Sequence, residues 1–114
     1  MPRDDSAYLL DMLLAARHAL SFTEGMSFED FVMDRRTKLS VLKSVEIVGE
    51  AASRATEDAR RPNADIPWRQ IVGMRNRLVH VYFDIDLQVV WHTVRHDLSD
   101  LIARLEPLVP PEPG

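Results

Sequence analysis

Apolar residues recur at three- and four-residue intervals along most of the chain, and the breaks in that rhythm divide it into helical segments. Ser6 is placed to cap a first helix in which Leu9, Leu10, Met12, Leu13, Ala16, Ala19 and Leu20 form a wide apolar face, ending near Gly25. Ser27, followed three residues later by Asp30, resembles a weakened capping box and starts a short helix containing Phe28, Phe31 and Val32. The spacing then predicts a long helix from about Thr37 to Ala59, with Leu42, Val45, Val48, Ala52, Ala55 and Ala59 on one stripe. Gly49 in its middle costs about 1 kcal/mol against alanine, which marks it as a close helix crossing. Arg60-Arg61-Pro62-Asn63 stops this helix.

Pro67 suits a first helical position, and Trp68 to about Val79 places Trp68, Ile71, Val72, Met74 and Leu78 for burial. A break is expected between Val81 and Asp84. Asp84 or Asp86 then caps a last helix in which Leu87, Trp91, Val94, Leu98, Leu101, Leu105 and Leu108 alternate in steps of 4 and 3. Pro107 and Pro110-Pro111-Glu112-Pro113 end it and leave an extended tail. No strand-like alternation or internal repeat interrupts this pattern. The chain therefore reads as all-α: an up-down bundle of four main helices and a short one in residues 1–106, with a proline-rich tail at 107–114.

Composition narrows the chemistry. With 114 residues the chain can build one core, so an active site would be shallow or completed by a second copy. The absence of cysteine excludes disulfides, iron–sulfur clusters, a thiol nucleophile and cysteine-ligated zinc. No apolar run approaches the ~20 residues that span a bilayer, and no signal-peptide pattern opens the chain, so a cytoplasmic protein is expected. The net charge of -4 argues against a generic nucleic-acid coat, but it hides an asymmetry. Arg54, Arg60, Arg61, Arg69, Arg75 and Arg77 face only Glu57, Asp58 and Asp65 in their segment, a local +3 against -7 for the rest. The chain also uses 12 arginines to 2 lysines; a GC-rich genome explains such a skew as well as phosphate recognition does.

The candidate chemistry lies in Arg75-Asn76-Arg77-Leu78-Val79-His80-Val81-Tyr82-Phe83-Asp84. A guanidinium stabilises charge on a phosphorus-centred transition state, and an imidazole exchanges a proton at neutral pH. RNA brings its own nucleophile, the 2′-hydroxyl, so such a pair suits phosphodiester cleavage without a metal or other cofactor. On a continuous helix a spacing of five sets Arg75 and His80 ~140° apart, so His80 is expected to leave the helix at the predicted break. From this chain's composition, Arg-x4-His arises by chance ~0.4 times, and Arg-x4-His-x-Tyr ~0.007 times. The plain structural alternative pairs Arg75 with an acid, caps a helix with His80 and buries Tyr82 and Phe83.

Lesser candidates are weaker. His92, His96 and Asp100 share one helical stripe at a spacing that can ligate metal, but they read as a solvated face, with no metal assigned. Glu46 and Glu50 stack on one helix rather than facing across a cleft; they suit solvent contact, or for Glu50 an i+4 pair with Arg54, and either acid, if buried, could instead orient Arg75. Arg60-Arg61 suits RNA, although any helix C-terminus favours cations.

Arg75-x4-His80-x-Tyr82, with Asn76 after the arginine and set in Ile66-Pro67-Trp68-Arg69-Gln70-Ile71-Val72-Gly73-Met74, resembles the signature of the HepT-like branch of the HEPN superfamily. Val48-Gly49-Glu50-Ala51-Ala52, Tyr82-Phe83-Asp84-Ile85-Asp86 and Val90-Trp91 extend the resemblance over most of residues 6–106. The resemblance implies an all-α bundle that homodimerises, brings two Arg-x4-His motifs into one cleft and acts as a metal-independent endoribonuclease. It implies a toxin paired with a minimal nucleotidyltransferase antitoxin, MntA, which neutralises it by adenylylating the motif tyrosine, here Tyr82. By the same carry-over Arg75 and His80 are the catalytic pair, and Asn76 and Arg77 support them or contact RNA. Two other readings stay open: a non-catalytic HEPN adaptor that binds a nucleotide or a nucleotidyltransferase, and a purely structural dimerisation bundle.

Overall fold

The computed structural model describes residues 4–80 and 86–110, with residues 77–80 described by their backbone. Helix α1 (Asp5–Phe22) begins one residue before the expected cap. Asp4 is the cap: its Oδ1 accepts from the Ala7 amide at 3.1 Å and from Ser6 Oγ at 2.6 Å, so Ser6 lies inside the first turn. A carboxylate at this end also meets the positive end of the helix dipole. The helix closes at Thr23, buried among α1 and the last helix, and Gly25 turns the chain with φ 76°, a left-handed conformation that glycine adopts without strain.

Helix α2 (Phe28–Met33) carries a complete capping box rather than a weakened one. Asp30 N donates to Ser27 Oγ at 3.0 Å and Ser27 N to Asp30 Oδ2 at 3.2 Å; an aspartate here does the work usually given to glutamate. Helix α3 (Arg35–Arg54) starts two residues ahead of the expected Thr37, because Asp34 accepts from the Thr37 amide at 3.0 Å. The same hydrogen bonding holds the Asp34 carboxyl below the usual carboxylate range.

The far end of α3 departs further from expectation. It stops at Arg54 rather than Ala59, and Ala55 turns into an extended conformation. The cause is tertiary: Asp5, in the first turn of α1, accepts from the Thr56 amide at 2.9 Å and from Thr56 Oγ1 at 2.5 Å. Those bonds replace the intrahelical ones. A second short helix, α4 (Glu57–Arg60), resumes at once and returns Ala59 to the core, and a 3₁₀ turn at Arg61–Asn63 leads to α5 (Trp68–His80).

The last helix is built of α6 (Leu87–His92), a π turn at Thr93–Asp97 and α7 (Leu98–Leu105), followed by a 3₁₀ turn at Glu106–Leu108. Asp86 caps it through the Gln88 amide at 3.0 Å. Val94, Leu98, Leu101 and Leu105 are buried as the heptad predicts. Upstream of the π turn the buried face is rotated: Val90 is buried, while Trp91 is half-buried against Phe28 and Phe31, with ring centroids 6.1 and 5.3 Å away. A π turn carries an extra residue per ring, which displaces the register by about 100°.

No strand occurs among the described residues, and the architecture is an all-α bundle. Its core joins Met12, Ala16 and Ala19 of α1 to Val41, Val45, Val48 and Ala52 of α3 and to α7. Helix α1 packs on α3 and α7, whereas α5 packs chiefly on α3. Between α5 and the last helix an apolar groove of about 510 Å³ remains, lined by Val45, Val48, Ile71, Met74, Leu98 and Leu101 among others. None of the described helices is long and apolar enough to cross a membrane.

Candidate active site

Gly49 is the point at which α3 and α5 cross. A Cβ built there would stand 2.8 Å from Arg75 Cγ and 3.3 Å from Arg75 Cα, and closer still to Arg75 Cβ. Only a residue without a side chain allows the two backbones this approach, which bears out the reading of Gly49 as a close crossing. The contact delivers Arg75 to the next residue of α3. Arg75 Nη2 donates to Glu50 Oε2, while Glu50 Oε1 accepts from Arg54 Nε at 3.0 Å. The second terminal nitrogen, Arg75 Nη1, donates to Asn76 Oδ1 at 2.7 Å.

Arg75 is thus held by its own neighbour and by a carboxylate from another helix. Its side chain is 30% exposed and that of Glu50 is 39%, so the pair lies at the surface with one side open to solvent. Glu50 titrates below the usual carboxylate range: the Arg54 hydrogen bond is the largest cause, and the Arg75 charge and hydrogen bond add to it against partial burial. One carboxylate between two guanidiniums leaves these three groups net positive. Arg75 Nε is buried and has no hydrogen-bond partner among the described residues.

For Glu50 the structure shows the i+4 pair with Arg54, and the link to Arg75 forms although the Glu50 side chain is 39% exposed rather than buried. Asn76 is exposed, with its amide oxygen turned to Arg75. Helix α5 continues through His80, so His80 is still helical and the expected departure does not occur before it. Positions 75 and 80 are then ~140° apart around one helix, and a single helix does not present them on one face. The side chains of Arg77 and His80, and all of Tyr82, lie outside the described residues.

The other candidates have structural partners. The His92 and His96 rings are 4.5 Å apart between centroids, but Asp100 is bound to Arg104 Nε at 2.8 Å. Among the described residues no group of three or more His, Asp or Glu side chains could hold a metal ion. Glu46 faces Lys43 at 3.9 Å. Arg60 Nη2 donates to the Ala52 carbonyl at 2.7 Å, with its guanidinium over the Trp68 ring.

The family model for HepT-like ribonucleases matches residues 12–108, a span that contains Gly49, Glu50, Arg75, Asn76, His80 and Tyr82. The chain belongs to the HepT-like ribonuclease family. This HepT-like chain is 38% identical over 108 residues to a protein of Thermococcus cleftensis named "Probable ribonuclease HepT", covering 95% of this chain and 98% of that relative. It is 31% identical over 107 residues to a "Putative RNase" of Methanocaldococcus jannaschii, covering 94% and 92% of the two chains. A third relative, a "Putative RNase" of Caldanaerobacter subterraneus, is 30% identical over 105 residues, covering 92% and 94%. No solved structure gives a significant match to this HepT-like sequence.

Proposed function

We propose that the protein is a metal-independent endoribonuclease toxin of a HepT/MntA-type toxin–antitoxin pair, with Arg75 and His80 as catalytic residues. The observation that carries this reading is the fixed Arg75: Gly49 admits it, Glu50 and Asn76 hold both terminal nitrogens, and the guanidinium stays partly open to solvent. An arginine held this way is preorganised for the charge that grows on a phosphoryl oxygen during cleavage. In the reaction the RNA 2′-oxygen bonds to phosphorus and the bond to the 5′-oxygen breaks. One imidazole takes the 2′-hydroxyl proton and another, already protonated, gives one to the departing 5′-oxygen. The products are a 2′,3′-cyclic phosphate and a 5′-hydroxyl.

With His80 the one histidine assigned to the site, two imidazoles require two chains. The ~140° between positions 75 and 80 on one α5, and the apolar groove beside that helix, support a homodimer in which Arg75 of one copy meets His80 of the other. Asn76 orients Arg75, and Arg77 contacts RNA. Tyr82 is the residue adenylylated by a cognate MntA-like nucleotidyltransferase; a bulky anion two positions from His80 blocks the cleft and repels RNA phosphate.

The test has three parts. Expression of the wild type arrests bacterial growth and His80→Ala relieves it; equal harmlessness of both would sink the toxin reading. Purified protein cuts RNA in EDTA and Arg75→Ala does not, whereas protein that binds nucleotide but leaves RNA intact would support the adaptor instead. Incubation with the nucleotidyltransferase and ATP adds ~329 Da per adenylyl group at Tyr82, and an unchanged mass would reject modification as the control step.

A further inference from the structure

The arginine-rich segment is only partly used by the site described above. Arg54 and Arg75 share Glu50. Arg60 is tied to the end of α3 through the Ala52 carbonyl, and its guanidinium lies 5.6 Å from the centroid of Trp68, whose Nε1 donates to the Asn63 carbonyl at 3.1 Å. Of the segment's arginines whose side chains are described, Arg61 and Arg69 remain. Both are exposed, and neither forms an ion pair among the described residues.

These two arginines line one open concavity of about 960 Å³ that runs from the turn after α4, along the first turns of α5, to Asn76. Asn76 is the residue whose side chain holds Arg75, so the concavity ends at the candidate active site. Of its two acids, Asp65 shares Arg104 with Asp100, at 2.6 and 2.8 Å, so Asp65 and Glu57 together stand against Arg60, Arg61 and Arg69. The amino end of α5 borders the same space and adds positive partial charge. Its largest apolar lining residues, Ile66 and Trp68, are only 2% and 8% exposed. The surface offers charge without the exposed apolar anchor that the centre of a protein–protein interface needs, which favours a polyanionic strand over a protein.

We propose that this concavity binds the sugar–phosphate backbone of single-stranded RNA beside the cleaved bond, with Arg61 and Arg69 each meeting a phosphate and Asn76 marking where the strand enters the Arg75 site. The inference rests on the ribonuclease reading above. It explains how a chain of net charge -4 holds a nucleic acid: the positive field is local and adjoins the reactive group.

The experiment compares the wild type with Arg61→Ala/Arg69→Ala and with Arg61→Lys/Arg69→Lys. Binding of a fluorescent 2′-O-methyl oligonucleotide, which cannot be cleaved, is measured by anisotropy across a salt series, and cleavage of the matching RNA is followed alongside. The alanine pair is expected to weaken binding about tenfold and to flatten the log–log salt slope by about 1.4, since each single-strand phosphate contact contributes ~0.7. The lysine pair keeps most of the slope, and in cleavage the alanine pair's loss is expected in KM rather than kcat. Unchanged affinity and slope in the alanine pair would overturn the subsite, even if the wild type cuts RNA. A wild type that cuts no RNA, but binds the oligonucleotide through these arginines, would instead remove the ribonuclease reading and leave the subsite standing.

Discussion

Gly49 of α3 and Arg75 of α5 are in backbone-level contact, and the arginine that the sequence marks as reactive owes its position to a residue without a side chain. The neighbour of that glycine, Glu50, then binds the Arg75 guanidinium. Adjacent residues of α3 thus supply the space and the anchor.

Gly49→Ala should therefore destabilise the protein although alanine is the better helix former. Overpacking at such a contact costs about 1–3 kcal/mol, more than the ~1 kcal/mol that propensity returns. Gly73→Ala is the control: a Cβ there meets nothing within 4 Å, so the propensity gain should appear as a small stabilisation. Urea unfolding of both variants checks the opposite signs; two stabilised variants would show that the crossing is loose.

Glu50→Gln keeps the shape and removes the charge. At this partly exposed pair the stability loss should be small, about 0.2–1 kcal/mol. Cleavage should suffer more, by about ten- to hundredfold, because Arg75 loses its orientation. A variant that cleaves at the wild-type rate would separate Glu50 from the reaction.

The same carboxylate sets a pH dependence. Its folded-state pKa is depressed, first by the Arg54 hydrogen bond and then by Arg75, so the stability it contributes is full above the range where an ordinary glutamate titrates. That contribution fades as pH falls through the lowered value. The stability gap between wild type and Glu50→Gln should accordingly close on acidification, and a gap that widens toward low pH would contradict the assignment.

Asp5→Ala should cost about 1–2 kcal/mol, since it removes the acceptor of both Thr56 bonds and an acid from the first turn of α1. Amide exchange at residues 55–58 should accelerate more than exchange in the middle of α3. Uniform acceleration would mean that Asp5 does not define the end of that helix.

Mixing wild-type with His80→Ala chains tests the shared cleft. If one cleft uses the His80 of both copies, a mixed dimer keeps a single imidazole and should lose most RNA cleavage, so activity should fall with the square of the wild-type fraction. Activity that falls only in proportion to the wild-type fraction, while mixed dimers still form, would place a complete site on each chain.

Much of the fold was legible in local pattern. The heptad from Val94 to Leu105 and the start after Pro67 follow from apolar spacing and from the fixed φ of proline. The glycine at position 49 was legible too, because its local cost demanded a tertiary reason. Less visible were the π turn at Thr93–Asp97, which alters a register without changing composition, and the caps at Asp4 and Asp34, which compete with nearby serines and threonines for the same role.

The sequence by itself determined an all-α chain and the heptad of its last helix from Val94 to Leu105, and it pointed to Arg75 as a residue suited to phosphodiester chemistry, since helical periodicity and side-chain chemistry are properties of neighbouring positions. Only the tertiary structure decided that α3 ends at Arg54, where a carboxylate 51 residues away takes the Thr56 amide, and that Arg75 reaches across 25 residues to Glu50. Such pairings depend on how closely two helices approach, and here the approach is set by the absence of one side chain at Gly49.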